Sequence, residues 1–374
     1  MAITTQRTGV WVTDDVHKKS LSGYWDGTST FTWGYNGQGQ LGINDSTASC
    51  CHASSPIQLP GSTWRALGGG STQLGLKTDG TLWTWGQNYF GSAGINISVT
   101  CCISSPIQIP GTTWCSINRS NGLRNSAFKT DGTLWAWGQN TAGQFGLNNV
   151  IVYSSPVQIP GTWCTFSLNA NGLGIKSDGS LWGAGQNATG GLGQGDCIAR
   201  SSPVQITGTW CKSSAISNTS SGIKTDNTLW TWGYNGNGEL GCGASGPSRT
   251  TPIQIPGSWC SVETNSHALA LKSDNTLWGW GFNGQGALGD DTVTQRASPI
   301  QIPGSWKCAL IQQAYGSKAL KTDNTLWAWG QGQFGPLGNC QANNTSSPIQ
   351  IPGTWNNIFT ANYTAYAARC IGCG

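Results

Sequence analysis

Tryptophan–glycine pairs recur along the whole chain of 374 residues at nearly constant intervals. The pairs begin at residues 33, 85, 137, 232, 280 and 329, and Ala184-Gly185 occupies the one remaining place in the series. Successive steps are 52, 52, 47, 48, 48 and 49 residues, so the chain holds seven copies of one unit. A period of roughly 40–50 residues is typical of propellers, in which every copy builds one sheet of a ring.

Each copy predicts four short strands separated by turn residues. The third copy reads KTDGTLWAWG at 129–138 and, after a variable stretch, SSPVQIPGTW at 154–163. Asp before Gly favours a tight hairpin turn, and the Asn that replaces this Gly in later copies tolerates the same left-handed backbone. Alternation places Trp135 and Trp137 on one face of their strand and the intervening aliphatic residues on the other. Two apolar faces indicate a strand buried between neighbouring sheets.

The pattern therefore predicts an all-β fold, a seven-bladed β-propeller of four-stranded blades. One blade cannot bury two apolar faces alone, whereas a closed ring of blades buries them and removes exposed edges. Residues 355–373 repeat the first half of the unit, and residues 11–25 repeat it less closely. We therefore predict that the C-terminal strands join the first blade and close the ring. Residues 21–374 would then form a single propeller, preceded by an N-terminal arm or extra strand at residues 1–20.

Charged residues make up only 9% of the chain, and the formal net charge is +4. We interpret the repeated Lys and Asp of the hairpins as turn residues that neutralise one another. The pairs are Lys77 with Asp79, Lys129 with Asp131, Lys176 with Asp178, Lys224 with Asp226, Lys272 with Asp274, and Lys321 with Asp323. We find no basic stripe typical of a nucleic-acid binder and no run long enough to span a membrane, and we expect no secretory signal because residues 1–12 contain no apolar stretch. We expect a soluble protein made in a cytoplasm, with no nucleic-acid partner and no membrane insertion.

Three segments carry the most regular form of the repeated motif: FTWGYNGQGQLG at 31–42, LWTWGYNGNGELG at 229–241 and LWGWGFNGQGALG at 277–289. They resemble the regulator-of-chromosome-condensation repeat family, and the resemblance extends over essentially the whole chain. It implies a seven-bladed propeller. The founding nuclear member is an exchange factor for a small GTPase and binds chromatin. We find no basic chromatin-binding tail in this sequence, so we expect neither activity to carry over to it. Copies reading SSPxQIPGTW more closely resemble predicted proteins of marine bacteria and bacteriophage virions.

No group of residues in the sequence predicts catalysis. The histidines His17, His52 and His267 are far apart and outside any metal-ligand spacing, and the only glutamates are Glu239 and Glu263. Because the repeated Asp residues have turn roles, paired catalytic carboxylates lack support. We predict that the chain is not an enzyme and has no catalytic residues, no metal and no cofactor.

Candidate binding residues lie mainly in the variable loops, because insertions in propellers collect on one face. The longest loops are residues 43–53 and 95–103, and the stretch 115–128 carries two arginines. The candidates are Tyr89, Phe90, Arg119, Arg124, Tyr153, Tyr315 and Phe334. Local packing is the alternative role for the aromatic members.

Residues at a fixed position of each copy are predicted to be structural. The core tryptophans are Trp33, Trp85, Trp137, Trp232, Trp280 and Trp329. The repeated glutamines of the Pro-x-Gln strand, which we expect to satisfy buried backbone groups, include Gln108, Gln158 and Gln254.

The 14 cysteines stand one or two residues after the strand-opening Trp, lie in the variable loops or end the chain. They are either half-buried thiols or partners in disulfides that staple loops to strands, and disulfides need an oxidising setting. The disulfide candidates are Cys50, Cys51, Cys101, Cys102, Cys197, Cys211, Cys242, Cys260, Cys370 and Cys373.

Low charge, dominant Trp packing, many cysteines and missing catalytic groups favour a virion protein. We expect a capsid decoration, tail or fibre-associated propeller, located in the virion, that mediates attachment or assembly. Its loops would bind other virion or scaffold proteins and a host surface receptor or glycan. One alternative is a cytoplasmic scaffold or a propeller that resembles a small-GTPase exchange factor. Another is a bacterial adhesin at the cell surface.

Overall fold

The computed structural model describes residues 30–44, 52–61, 63–97, 102–118, 122–216, 218–311, 315–333, 336–339, 343–355, 357–360 and 364–368. Every regular element among them is a β-strand, apart from one 3-10 turn at Tyr89–Gly91. The predicted all-β propeller is confirmed. The predicted arm at residues 1–20 lies outside the described residues.

The described strands form five sheets of four strands and one sheet of seven. The sheet that joins the two chain ends contains, in spatial order, β2 His52–Gln58, β1 Thr30–Tyr35, β27 Thr364–Ala368 and β26 Asn357–Thr360. The next sheets are β3 Trp64–Gly69, β4 Thr72–Lys77, β5 Leu82–Gln87 and β6 Cys102–Ile109, and then β7 Trp114–Ile117, β8 Arg124–Lys129, β9 Leu134–Gly138 and β10 Tyr153–Ile159. The seven-stranded sheet is β11 Trp163–Leu168, β12 Asn171–Lys176, β13 Ser180–Gly185, β14 Arg200–Ile216, β15 Thr219–Lys224, β16 Leu229–Gly233 and β17 Arg249–Ile255. The remaining sheets are β18 Trp259–Thr264, β19 His267–Lys272, β20 Leu277–Gly281 and β21 Arg296–Ile302, and then β22 Trp306–Ile311, β23 Gly316–Lys321, β24 Leu326–Gly330 and β25 Thr345–Ile351.

The repeated hairpin joins the second and third strands of a repeat. Between β8 and β9, the Asp131 carboxylate accepts a hydrogen bond of 2.9 Å from the backbone N–H of Thr133, and Gly132 has a φ of 79°. Where Asn replaces this Gly, as at Asn227, φ is 65°. Both values lie in the left-handed region, so the two residue types build the same turn.

The long strand β14 merges two repeats into the seven-stranded sheet. Its first part pairs with β13 and its second part pairs with β15. Other copies have a proline at the equivalent place, such as Pro160 and Pro256, whereas β14 has Thr207. Threonine keeps the N–H that proline lacks and does not fix φ, so the strand can continue through this position.

The two ends of the described chain meet in one sheet. β1 pairs with β27 from Thr30 opposite Ala368 to Gly34 opposite Thr364, and β27 pairs with β26. The prediction that the C-terminal strands join the first sheet is therefore confirmed. β26 also contacts β3 on one side and β22 on the other, so the first strands of the repeats form a continuous inner ring at this junction.

The tryptophans of the six Trp-Gly pairs each hydrogen-bond to the preceding repeat. Trp137 is fully buried, and its Nε1 donates a hydrogen bond of 2.9 Å to the Ser92 carbonyl in the preceding repeat. Trp33 does the same across the junction of the chain ends, donating to the Pro336 carbonyl at 3.0 Å. The equivalent pairs are Trp85 with Gln40, Trp232 with Gly191, Trp280 with Glu239, and Trp329 with Ala287. A Cβ on Gly94 would stand only 2.6 Å from the Trp137 Nε1, which explains the glycine of the Leu-Gly motif at this position.

Candidate partner-binding face

The antiparallel order of the strands separates two faces of the ring. One face, which we call the turn face, carries the hairpins that contain the repeated Lys and Asp. The other, which we call the loop face, carries the loops that join the third and fourth strands, such as residues 139–152 and 186–199. The variable loops predicted to bind a partner therefore lie on one face.

A repeated asparagine stabilises most of these loops through hydrogen bonds. The Oδ1 of Asn140 accepts a hydrogen bond of 2.9 Å from the backbone N–H of Phe145, and its Nδ2 donates to the Asn149 carbonyl at 3.2 Å. Equivalent bonds are made by Asn88, Asn187, Asn235 and Asn283. Our sequence reasoning missed this role, although the asparagine stands two residues after the Trp-Gly pair in six of the seven copies. The seventh copy has Gly332 there.

These held loops expose aliphatic side chains to solvent. Ile151 is 58% exposed and Ile198 is 64% exposed, and both belong to neighbouring repeats. The backbone N–H of Ile151 donates to the Asn149 Oδ1 at 3.1 Å, and that of Ile198 donates to the Asp196 Oδ1 at 3.0 Å. Because the loop backbone is fixed, these side chains are presented outward rather than free to fold back.

Three of the predicted binding residues are exposed, others are packed or buried, and two lie outside the described residues. Tyr89 and Phe90 are exposed in the 3-10 turn, and Tyr315 is exposed beside Phe282, with ring centroids 4.8 Å apart. Tyr153 has the packing role instead, because it stacks on Phe145 and its hydroxyl accepts from Asn149. Arg119 and Phe334 lie outside the described residues.

Arg124 is not available to a partner, contrary to its proposed binding role. It is the first residue of β8 and is only 6% exposed. Its guanidinium donates to the Asn169 Oδ1 at 3.3 Å and to the Gln139 side chain. Burial lowers the pKa of Arg124 to about 10. The side chain links neighbouring repeats, and its burial was not predictable from sequence because it depends on contacts with Asn169 of the next repeat.

The repeated glutamines occupy a different environment from the one expected. The six core tryptophans named above are fully buried. Gln108, Gln158 and Gln254, by contrast, are exposed on the outermost strands, opposite half-buried tryptophans such as Trp135. The expectation that they satisfy buried backbone groups is wrong, because an outer strand presents these side chains to solvent.

The lysines of the turn face stack on tryptophan instead of pairing with aspartate. Lys129 Nζ lies 4.0 Å from the ring centroid of Trp135 and 5.0 Å from that of Trp114. Asp131 is bonded within its own turn, and the hydrogen bond from the Thr133 hydroxyl is the main cause that lowers its pKa. The same arrangement recurs at Lys77, Lys176, Lys224, Lys272 and Lys321.

Seven of the described cysteines carry free thiols, so the disulfide expectation is corrected for the candidates among them. They are Cys115, Cys164, Cys197, Cys211, Cys242, Cys260 and Cys308. Cys211 and Cys260 belong to different repeats, and each Sγ donates to a carbonyl of the adjacent strand, Ile223 at 3.4 Å and Lys272 at 3.5 Å. The candidates Cys50, Cys51, Cys101, Cys370 and Cys373 lie outside the described residues.

Titratable side chains do not converge on a reaction centre in the described part of the chain. It contains no group of three or more His, Cys, Asp or Glu that could hold a metal, and no helix long and apolar enough to span a membrane. His267 is fully buried with its Nε2 2.8 Å from the Ser317 hydroxyl, and burial lowers its pKa to about 3. Glu239 is buried and accepts from the backbone and side chain of Asn237.

The comparisons with known proteins agree with the propeller. Residues 131–163 match the family described as Regulator of chromosome condensation (RCC1) repeat, and no curated protein matches the chain in sequence. Human WBSCR16 is similar in structure, with a TM-score of 0.81 and 16% identity over 92% of this chain and 100% of that one. Prp20p from Saccharomyces cerevisiae gives a TM-score of 0.82 and 16% identity over 93% of each chain. Yeast RCC1 (Prp20) bound to Kap60 gives 0.80 and 16% identity over 100% of this chain and 96% of that one.

These comparisons contradict the expected virion role and virion location. The three structures reported above are of human and yeast proteins, so the likeness found is to cellular proteins rather than to particle components. The alternative of a cellular scaffold or exchange-factor-like propeller in the cytoplasm agrees better with them. Nothing in the comparisons shows direct catalysis, and the prediction that the chain is not an enzyme stays a prediction.

Proposed function

We propose that this RCC1-like propeller is a non-enzymatic cellular scaffold whose loop face binds a small GTPase. The observation that carries the proposal is the set of held loops that expose Ile151, Ile198 and their neighbours. The partner class is supported by the fold shared with Prp20p, a structure described together with its binding to Gsp1p and histones. The free thiols of these seven cysteines are compatible with a reducing compartment such as the cytoplasm.

The loop face is better suited to a protein partner than the turn face. On the turn face, the repeated lysines are engaged by tryptophan rings and the aspartates by their own turns, as at Lys129 and Asp131. On the loop face, Val150, Ile151 and Ile198 stand more than half exposed. Burying one such side chain fully stabilises a complex by about 1.5–3 kcal/mol before the entropy of association is subtracted.

The proposal is tested by capture of purified small GTPases loaded with GDP, followed by measurement of fluorescent GDP release from any that bind. We expect Ile151→Asp combined with Ile198→Asp to weaken capture at least about tenfold, since two apolar contacts would become charged. Ile107→Asp is the matched control, because Ile107 is also exposed but lies on the outer strand β6. Capture of no GTPase, or equal losses in the control, would contradict the proposal.

We also propose that the ring has seven blades and that residues 21–374 form one propeller domain. The seven-stranded sheet supports this count, because β11–β13 with the first part of β14 make one four-stranded unit. The second part of β14 makes another unit with β15–β17. With the five four-stranded sheets, these two units would give seven blades. An experimental structure with a different number of units around the ring would contradict this count.

A further inference from the structure

A groove runs between the outer strand β17 and the neighbouring sheet of β18–β21. Its volume is about 650 Å³. Apolar side chains form much of its wall, among them Ile253, Trp278 and Pro299. Small-molecule sites in proteins are typically clefts of roughly 300–1,000 Å³ with mostly apolar walls and few polar groups. The groove therefore has the size and lining of a ligand site.

The charged side chains that line this groove are both positive. Arg249 and Lys272 both line it, and no Asp or Glu does so among the described residues. Lys272 is held in place, because its Nζ lies 4.0 Å from the ring centroid of Trp278 and 5.0 Å from that of Trp259. An anionic group entering the groove would meet two cations and no carboxylate.

Three arginines occupy the same position of successive outer strands, three residues before the proline, and only one of them lacks an ion pair. Arg200 pairs with Asp196 at 2.7 Å, and Arg296 pairs with Asp290 at 2.8 Å. Arg249 makes no ion pair or hydrogen bond through its side chain to any residue that the structure describes. In the loop before Arg249, the Ala244 carbonyl accepts a hydrogen bond from the Asn235 side chain. In the preceding copy, the Asp196 carbonyl accepts the equivalent bond from Asn187.

A second groove of the same chain provides an internal comparison. It is lined by Trp114, Lys129 and Trp135, which correspond to Trp259, Lys272 and Trp278, but its volume is only about 230 Å³. The position that corresponds to Arg249 is the buried Ile103. Of these two grooves, the one at β17 has the larger volume and the second cation.

From these contacts we propose that the groove at β17 binds a small organic anion with a flat apolar body. The body lies against Trp278, Ile253 and Pro299, and the acid group bonds to the guanidinium of Arg249. Arginine suits this role because its planar donors match the two oxygens of a carboxylate, sulfonate or phosphate. The ligand site is separate from the GTPase proposal, which depends on Ile151 and Ile198.

The test uses naphthalene-2-sulfonate as the probe and the full chain in reducing buffer. Cys242 lines the groove and is exposed, so bound probe should slow its alkylation by N-ethylmaleimide, measured by peptide mass spectrometry. Cys197, exposed in the preceding loop, is the internal control and should react at an unchanged rate. The neutral analogue naphthalene-2-methanol should give little protection.

Two variants of opposite design isolate the charge of Arg249. Arg249→Gln removes the guanidinium, and Ala244→Asp keeps it but supplies the carboxylate that the preceding copy has. Each should weaken probe binding at least about tenfold in calorimetric titration. Arg249→Gln loses the charge-assisted hydrogen bond, and in Ala244→Asp the new carboxylate competes with the probe for the guanidinium. Arg296→Gln removes an arginine that is already paired and should leave affinity unchanged.

Several results would overturn the ligand site. They are no binding of the probe at millimolar concentration, equal protection of Cys197 and Cys242, or full affinity in Arg249→Gln. A loss in Arg296→Gln as large as in Arg249→Gln would do the same. Circular dichroism and the Tm of every variant establish that the exposed substitutions leave the fold intact.

Discussion

Replacing Trp33 by phenylalanine tests whether the indole–carbonyl bonds hold the ring closed. Trp33 is fully buried, and its Nε1 donates to the carbonyl of the buried Pro336. No other described donor bonds to that carbonyl. Trp232 is the matched control, because its acceptor, the Gly191 carbonyl, also receives bonds from Asn171 and Ser220.

The two substitutions remove the same atoms, so their difference isolates the orphaned carbonyl. Loss of apolar contact and the cavity left by Trp→Phe destabilise either variant by about 1–2 kcal/mol. In Trp33→Phe, the Pro336 carbonyl stays buried without a donor, which adds about 1–3 kcal/mol. In Trp232→Phe the acceptor keeps two donors, so this addition is absent. We therefore expect the free energy of unfolding to fall by about 2–5 kcal/mol for Trp33→Phe and by about 1–2 kcal/mol for Trp232→Phe.

Urea unfolding followed by far-ultraviolet circular dichroism measures both losses. The slope m checks that the variants expose the same surface area on unfolding. Amide hydrogen exchange should increase in β26 and β27 for Trp33→Phe, because these strands lie at the junction of the chain ends. Equal losses in the two variants would refute the idea that a carbonyl with a single donor makes the junction more sensitive to removal of the indole N–H.

Three further predictions concern the loops, the long strand and pH. Asn140→Ala leaves the buried N–H of Phe145 without its acceptor and should lower the free energy of unfolding by about 1–3 kcal/mol. Asn149→Ala, measured in the same urea series, should lower this free energy by less. Thr207→Pro should raise stability by about 0.4–1 kcal/mol, seen as a higher Tm, because other copies have proline at this position, and a marked fall in Tm would contradict it. Burial lowers the pKa of Lys318 from 10.5 to about 7, so between these values the unfolded chain binds more protons and the free energy of unfolding rises with pH. Lys318→Met should flatten that rise in urea midpoints measured from pH 7 to 10, and an unchanged slope would show that another group is responsible.

The repeat itself allowed the fold to be predicted closely. Trp-Gly spacing, the alternation around Trp135 and the Asp-Gly turns are local signals, and each has a direct geometric meaning for a strand or a hairpin. The half copy at residues 355–373 even indicated which strands join β1. The merging of two repeats through β14 was missed, although Thr207 in place of proline is visible in the sequence.

The site was less predictable, because it depends on which side chains face one another across different repeats. A repeated residue in the sequence shows only that its position matters. The structure decided that Gln158 is exposed, that Lys129 stacks on Trp135, and that Arg124 is buried between repeats. Virion function was inferred from composition, and composition does not specify a partner.

The amino-acid order alone determined the strands, their turns and the stacking of repeats into a ring, because these follow from periodicity and from backbone preferences of neighbouring residues. Only the tertiary structure decided which charges are compensated. Arg200, Arg249 and Arg296 occupy the same position of the repeat, yet two of them meet a carboxylate and one does not. Ion pairing depends on distances of a few ångströms between side chains, and these distances exist only after the loops have taken their final shape.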